Sequence, residues 1–353
     1  MKMIIFLLVV FLSNSTFPQT YTDFAGEIFF GRLPSAKSEA MGRILTLNFD
    51  PYFVLQSNPA NLINTTGISV FYAISSPLYG YSDATYNYAG VSYHHPAVGA
   101  FAFNFLRFNY GVSLNITGEG GPQVIGTYEP SIDLYTLTYS IEIKDWFAFG
   151  INANLFVANH NESYTSSFFE LGLSRKFILV QNSEFKDDII IGTQLKNIFN
   201  QSFTAIDEAQ SDAFPSIFRI GVSNSIEYTD NELYDKSYLI GLLLGLEYQD
   251  VLNSGIRTAY KAGTEFSILD IIFLRGGYYH ETKIDYGFNS KDKLEEFTYG
   301  FGLKLDFDRH FTSKFPLVLQ FDFVSLKQPS YTIDFDNWDN FTTFTLIANY
   351  RLD

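Results

Sequence analysis

The stretch Glu296–Phe307 restricts the fold more than any other part of this chain. Phe297, Tyr299, Phe301, Leu303, Leu305 and Phe307 occupy every second position, and Thr298, Gly300, Gly302, Lys304 and Asp306 stand between them. A strand turns successive side chains to opposite faces. An unbroken apolar row opposite a lysine and an aspartate needs an apolar medium on one side and water on the other. In an antiparallel membrane barrel those are the lipid and the lumen.

The pattern recurs from Gly67 onward. Tyr135, Leu137, Tyr139, Ile141 and Ile143 oppose Thr136, Thr138, Ser140 and Glu142, and after Lys144-Asp145 the run Trp146–Val157 alternates again. A two-residue separator between alternating runs predicts a tight hairpin. Similar runs contain Glu170, Lys196, Arg219, Glu247, Lys261, Glu265, Arg275 and Asp322 on their polar faces. In Ala97–Phe108 the alternation is imperfect, because Phe101, Phe103 and Phe105 share a face with Arg107. Altogether the chain holds about 14 strands, an even number, as a closed bacterial barrel has. Gaps such as His94-His95-Pro96 and Leu269-Asp270 are short, whereas Asn109–Ser131, Asn197–Phe214, Glu281–Glu295 and Lys327–Phe341 are long. Short turns on one side and long loops on the other is the outer-membrane arrangement. Phe177–Asp187 and Glu227–Lys236 break the rule, being long on the short-turn side. The expected fold is all-β: a transmembrane antiparallel up-and-down barrel with an N-terminal plug, residues 20–66, and a barrel domain, residues 67–353. A soluble β-sandwich also alternates, but does not require so many outward aromatics.

Aromatic residues make up 18% of the chain, with 37 Phe and 24 Tyr, more than one soluble core needs and suited to lipid-facing girdles. Residues 1–19 have a basic start and an apolar run, Ile4–Leu12, too short to span a bilayer, and are expected to be a signal peptide. With no cysteine, disulfides and thiolate metal sites are excluded. A formal charge of −15 argues against nucleic acid as a partner.

The segment Ser35–Leu62 lacks a period of two and contains Pro51 and Pro59. Asn58-Pro59-Ala60 predicts a fixed bend, since Pro59 has no N–H and drives Asn58 away from helical angles. Irregular backbone is tolerated at membrane depth only where protein or water covers it. The segment is therefore expected inside the barrel, the alternative being a leader outside it. Arg32, Lys37, Glu39 and Arg43 are its charges. They are expected to pair with the lumen set Glu142, Glu170, Arg175, Arg219, Glu265, Arg275, Lys304, Asp306 and Asp322, because buried charges need partners.

Ser35-Ala36-Lys37-Ser38-Glu39-Ala40-Met41-Gly42, with Asn58-Pro59-Ala60-Asn61-Leu62, resembles the N-terminal signature of the PorV/PorQ group within the FadL-like outer-membrane proteins. Ala262–Phe266, Phe273–Tyr278 and Tyr299–Leu303 resemble its C-terminal half, while Arg43 departs from the small residue common after Met-Gly. The resemblance implies a 14-stranded barrel with a hatch. It also implies one of two roles: a component of type IX protein secretion, whose partners are the translocon or its cargo, or a transporter whose partner is a hydrophobic small molecule. Outer-membrane lipid is a partner in either case.

No Gly-x-Ser-x-Gly elbow and no His-Glu-x-x-His stands in the chain, so neither an enzyme nor a cofactor is expected. His94-His95 falls in a turn, and Asp334, Asp336 and Asp339 lack the glycine and bidentate Glu of an EF-hand, so solvated turns are expected there and no metal site.

Overall fold

The computed structural model describes residues 35–47, 51–55, 57–76, 85–109, 111, 113–117, 123–143, 147–159, 163–204, 211–230, 233, 237–252, 258–285, 290–310, 315–329 and 338–351. The expected signal peptide, Arg32, the Lys144-Asp145 turn, Asp334 and Asp336 lie outside them.

In chain order come a short helix α1 (Ala36–Ala40), a 3-10 turn (Pro59–Asn64), and strands β1 (Ile68–Ser76), β2 (Thr85–His95), β3 (Gly99–Asn109), β4 (Ser113–Thr117), β5 (Gln123–Tyr128), β6 (Ser131–Ile143), β7 (Phe147–Asn159), β8 (Ser163–Gln181) and β9 (Phe185–Lys196). Then follow β10 (Ser202–Thr204), β11 (Ser211–Ala213), β12 (Ile217–Tyr228), β13 (Ile240–Val251), β14 (Thr258–Ile268), β15 (Ile272–Asp285), β16 (Ser290–Asp306), a helical turn α2 (Phe307–His310), β17 (Leu317–Pro329) and β18 (Trp338–Tyr350). Fourteen of the strands close into one barrel in the order β1-β18-β17-β16-β15-β14-β13-β12-β9-β8-β7-β6-β3-β2. β1 closes on β18 antiparallel, with Ile68 opposite Tyr350. The small hairpins β4-β5 and β10-β11 stand apart, within two of the long loops.

Alternation along β16 sorts the two faces. Phe297 is 74% exposed and its neighbour Thr298 3%. The exposed row continues along β16 at Tyr299, and exposed apolar residues recur around the wall at Leu274, Leu246, Val222 and Leu137. A soluble protein does not present such a belt to water.

Three expectations are corrected. Glu281–Glu295 is not a loop: β15 runs to Asp285 and β16 starts at Ser290, with Ile284 opposite Lys291. Phe177–Asp187 is likewise two strands, turned at Asn182, whose side chain accepts from the N–H groups of Glu184 and Phe185. In both places the strands outlast the lipid band, where the alternation that lipid imposes no longer applies. Phe307 does not extend the outward row, because the strand ends at Asp306 and the chain enters α2. Arg107 does share the outward face, at the long-loop end of β3. Asp133 opposite it accepts from its Nε and Nη2 at 2.7 and 2.8 Å, so the charge is met there by a carboxylate.

Candidate functional site

The segment Ser35–Asn64 follows the inner wall. Thr298 Oγ1 on β16 donates to the Ala40 carbonyl at 2.8 Å and accepts from the Gly42 N–H at 3.0 Å. Glu247 on β13 accepts from the N–H groups of Leu45 and Thr46 at 2.7 and 2.6 Å, and from the Thr46 hydroxyl. Asn58 caps the 3-10 turn by accepting from Ala60 N–H at 3.0 Å, and donates to the carbonyls of Thr46 and of Leu173 on β8. Ser140 on β6 donates to the Ala60 carbonyl. The segment thus touches walls far apart around the barrel before it enters β1.

What lets backbone lie so close is a set of inward glycines. A Cβ on Gly172 would stand 1.9 Å from Asn58 Oδ1, and one on Gly150 2.3 Å from Ala60 N. On Gly192 it would meet the Thr46 carbonyl at 2.4 Å, on Gly263 the Met41 carbonyl at 2.3 Å, and on Gly277 the Gly42 nitrogen at 2.0 Å. Such distances leave no room for a side chain. After α1 the chain reverses through Gly42 and Arg43, both left-handed with φ 71° and 64°. Arg43 stacks over the Tyr279 ring at 4.9 Å and pairs with Glu39 at 3.5 Å.

The lumen around the segment is charged, from the short-turn ends of β14, β15 and β17 to the long-loop ends of β9, β12, β13 and β14. Glu265 binds Lys37 at 3.1 Å, a direct ion pair between segment and wall, and also Arg275. Arg275 in turn meets Asp322. Lys261 pairs with Glu247 at 2.7 Å. Glu170 sits 3.5 Å from Lys196 and accepts from Asn152 and Gln194, whose amides also donate to the Val54 and Ser57 carbonyls. Arg219 donates to Gln194 and Gln249. At the short-turn rim Lys304 pairs with Asp270 at 2.8 Å, while Asp306 holds Arg309 and Arg351. Burial and the Asp270 carboxylate push the Tyr238 hydroxyl well above its ordinary range, so it stays a donor to Asp270 at 2.9 Å. A polar cavity of about 680 Å³ opens among these residues, lined also by Lys176, Lys186 and Ser223.

The structure therefore gathers Lys37, Glu265, Arg275 and Asp322 into one network. Glu170 and Arg219 reach the segment through amide side chains, and Lys304 and Asp306 belong to a separate rim cluster. Glu142 is exposed near the end of β6, away from the packed lumen. Arg175 faces outward and stacks over Phe177 at 4.5 Å, correcting its expected lumen position. Among the described residues, no three His, Cys, Asp or Glu side chains converge as metal ligands.

Toward the long loops the inward faces of β1–β3 and β6–β8 turn apolar. Phe71, Tyr86, Tyr88, Leu106, Phe108, Ile132, Leu134, Phe156 and Phe168 form one buried cluster with Phe53 and Leu55 of the segment and Phe214 of a long loop. Phe53 stacks on Tyr88 at 4.8 Å, and Phe214 meets both Phe156 and Phe168 at 5.0 Å. Sequence reasoning missed the strand residues of this cluster: in runs such as Phe103–Phe108 apolar residues stand on both faces and alternation is lost. The inward glycines were legible as positions but not as a bed for the segment.

A closed ladder, an exposed apolar belt and a polar inward face allow one medium outside and another inside. The protein is an outer-membrane β-barrel. Among solved structures it is similar to the Pseudomonas putida toluene transporter TodX, at 10% identity over 94% of this chain and 99% of that chain, with a TM-score of 0.47. It is also similar to the CymD monoaromatic hydrocarbon channel, at 8% identity over 92% and 98% with a TM-score of 0.46. A third likeness is to a Pseudomonas aeruginosa FadL homologue, at 9% identity over 95% and 100% with a TM-score of 0.44. No family model matches the sequence, and no curated protein does. With TM-scores this low, the strand pairing itself carries the barrel assignment.

Proposed function

We propose that this barrel conducts hydrophobic small molecules, with residues 20–66 as the hatch between an apolar chamber and a polar vestibule. The inward aromatic cluster carries the reading: a channel for water and ions has a polar interior, whereas here buried Phe71, Tyr88, Phe108, Phe156 and Phe168 face inward on the long-loop side. Apolar walls with few polar groups suit an apolar or aromatic guest. The charged network beneath fastens the hatch from the other side. The test is saturable uptake of an apolar fluorophore such as N-phenyl-1-naphthylamine by proteoliposomes. Uptake should fall in a Phe156→Gln, Phe214→Gln double variant and persist in Lys304→Gln. Uptake unchanged in the double variant would remove the chamber from the path.

A role in type IX secretion is the second reading. The residues that carry the PorV/PorQ resemblance, such as Ser35, Ala36, Glu39, Asn58 and Leu62, are buried, so they report how the segment fits the wall. What favours a protein partner is an exposed apolar hairpin on the short-turn side. Co-purification of type IX components with the tagged barrel from detergent-solubilised outer membrane tests that role, and their absence from the eluate would count against it.

A further inference from the structure

The lipid-facing wall is not smooth. Across the outer face of β9, β12, β13, β14 and β15 runs an apolar groove of about 580 Å³. Val222, Leu246, Ala262 and Tyr278 stand side by side around the wall, each opposite the next. One level nearer the long loops stand Ile220, Tyr248 and Tyr260, with the two tyrosine rings 5.4 Å apart. Ala262 has the shortest side chain of either row, so the gap opens over it, between Leu246 and Tyr278. The level beneath is low as well, with Thr264 opposite Gly276. A Cβ on Gly276 would meet nothing but the Thr298 carbonyl at 3.9 Å, so the outer face is open there too.

The groove lies within the lipid belt, nearer its long-loop boundary. Outward positions on β14 run from Ile268 at the short-turn end through Phe266, Thr264 and Ala262 to Tyr260. Ala262 is thus about 20 Å along the strand from Ile268, at about 3.3 Å per residue. Just above it the outer face turns polar: Tyr278 donates to Glu295 at 3.0 Å, and His280 meets the same carboxylate at 3.2 Å. The hydrocarbon core holds no water, so a depression there is filled by lipid or left void. A void forfeits the dispersion contacts of its lining. Lipid tails are as apolar as leucine, so nothing is gained by burial alone, and a chain is held by packing. On a smooth wall a chain touches protein on one side; in this groove it is flanked as well.

We propose that the groove over Ala262 is a lipid-binding site, which seats one acyl chain of an outer-leaflet lipid while chains around the rest of the belt exchange. Leu246 and Tyr260 are each more than half exposed and stand as ridges beside the floor. Ridges of that height hold a second barrel wall away from Ala262, whereas a single flexible chain lies between them. The site is on the outside of the wall, and the proposal stands whether or not hydrophobic molecules are the cargo of the lumen.

The test uses the mature protein in nanodiscs of dimyristoylphosphatidylcholine, released and stripped of lipid by stepwise activation in native mass spectrometry. The unaltered barrel should keep one lipid after the others have gone. Ala262→Phe fills the groove and Tyr260→Ala removes a ridge; each should lower the retained fraction at least about fivefold, because packing rather than polarity holds the chain. Heat-modifiable gel migration should stay unchanged in both. Leu137→Ala, an exposed belt position on β6, should retain lipid like the unaltered barrel. Four results overturn the proposal: no lipid kept by the unaltered barrel; undiminished retention in either folded variant, as a lipid lodged in the lumen would give; equal loss in Leu137→Ala, which makes the lipid ordinary annulus; or paired barrels that Ala262→Phe separates, which makes the occupant a second copy.

Discussion

The two halves of the lumen are made by the same strands, yet they hold the segment by different physics. On the short-turn side Lys37, Glu265, Arg275 and Asp322 hold it by charge. On the long-loop side Phe53 and Leu55 are held by aromatic packing. Charged contacts are directional and fail sharply when one member is lost. Apolar contacts are graded and tolerate changes of shape. The segment is thus fixed from below and adaptable above, as expected if guests enter a soft chamber over a firmly held floor.

The largest effect should come from the firm side. Glu265→Ala leaves Arg275 and Lys37 with less counter-charge in a buried site, and should cost about 3–5 kcal/mol in urea unfolding from detergent. A loss below that of the aromatic variant described later would break the contrast between the halves.

The wall's outer face comes next. Phe301 is exposed to lipid on the strand whose Thr298 binds the segment. Phe301→Arg near mid-membrane should cost about 2–4 kcal/mol in the same unfolding measurement. Thr298→Ser keeps its hydroxyl and should cost little. Equal costs at both positions would mean that the two faces have been exchanged.

Between the halves lies the glycine bed. Gly277→Val places a branched side chain where the Gly42 nitrogen would be 2.0 Å from its Cβ. Overpacking of this kind costs about 1–3 kcal/mol, and here the segment can relieve it by leaving. Planar-bilayer conductance should rise. A silent variant would show that the segment does not occlude the lumen.

The soft side should yield less. Phe168 is fully buried between Phe214 and Lys196, and Phe168→Leu roughly conserves apolar volume. It should cost under about 1.5 kcal/mol in unfolding and change the preference among apolar probes more than the stability.

What the sequence disclosed follows the same division. Lipid imposes a period of two, so the outward rows of Glu296–Phe307 and Tyr135–Ile143 were readable. That period fades where strands outlast the bilayer, which is why Glu281–Glu295 and Phe177–Asp187 looked like loops. It fades again where the lumen is apolar: Leu106 and Phe108 face inward beside outward Phe103 and Phe105, and the run reads as uniformly greasy. The charges were legible as inward residues, but their partners were not, because pairing of Lys37 with Glu265 spans 228 positions of sequence. Asn58-Pro59 announced a bend through proline's fixed φ, while the carbonyls that Asn58 reaches are set only by the closed wall.

Gly276 and Gly277 separate the wall's two faces in a single step, and the smallest predicted effect depends on that. Both lie in β15, adjacent in sequence and on opposite sides. A Cβ on Gly277 would collide with Gly42 and Met41, whereas one on Gly276 would meet only the Thr298 carbonyl at 3.9 Å, an ordinary contact. Neither glycine has a positive φ, so backbone angles do not forbid a side chain at either. Glycine inside a strand is less stable than alanine by about 0.5–1 kcal/mol, through the freedom it loses on folding. Gly276→Ala should therefore stabilise the barrel by up to about that amount, while Gly277→Ala should destabilise it. Opposite signs from one substitution at neighbouring positions cannot come from strand propensity, which is common to both. They require a body pressed against the inner face only. If the two alanine variants move stability the same way, the segment does not lie against β15 as described, and the distinction between a charged floor and a soft chamber loses its boundary.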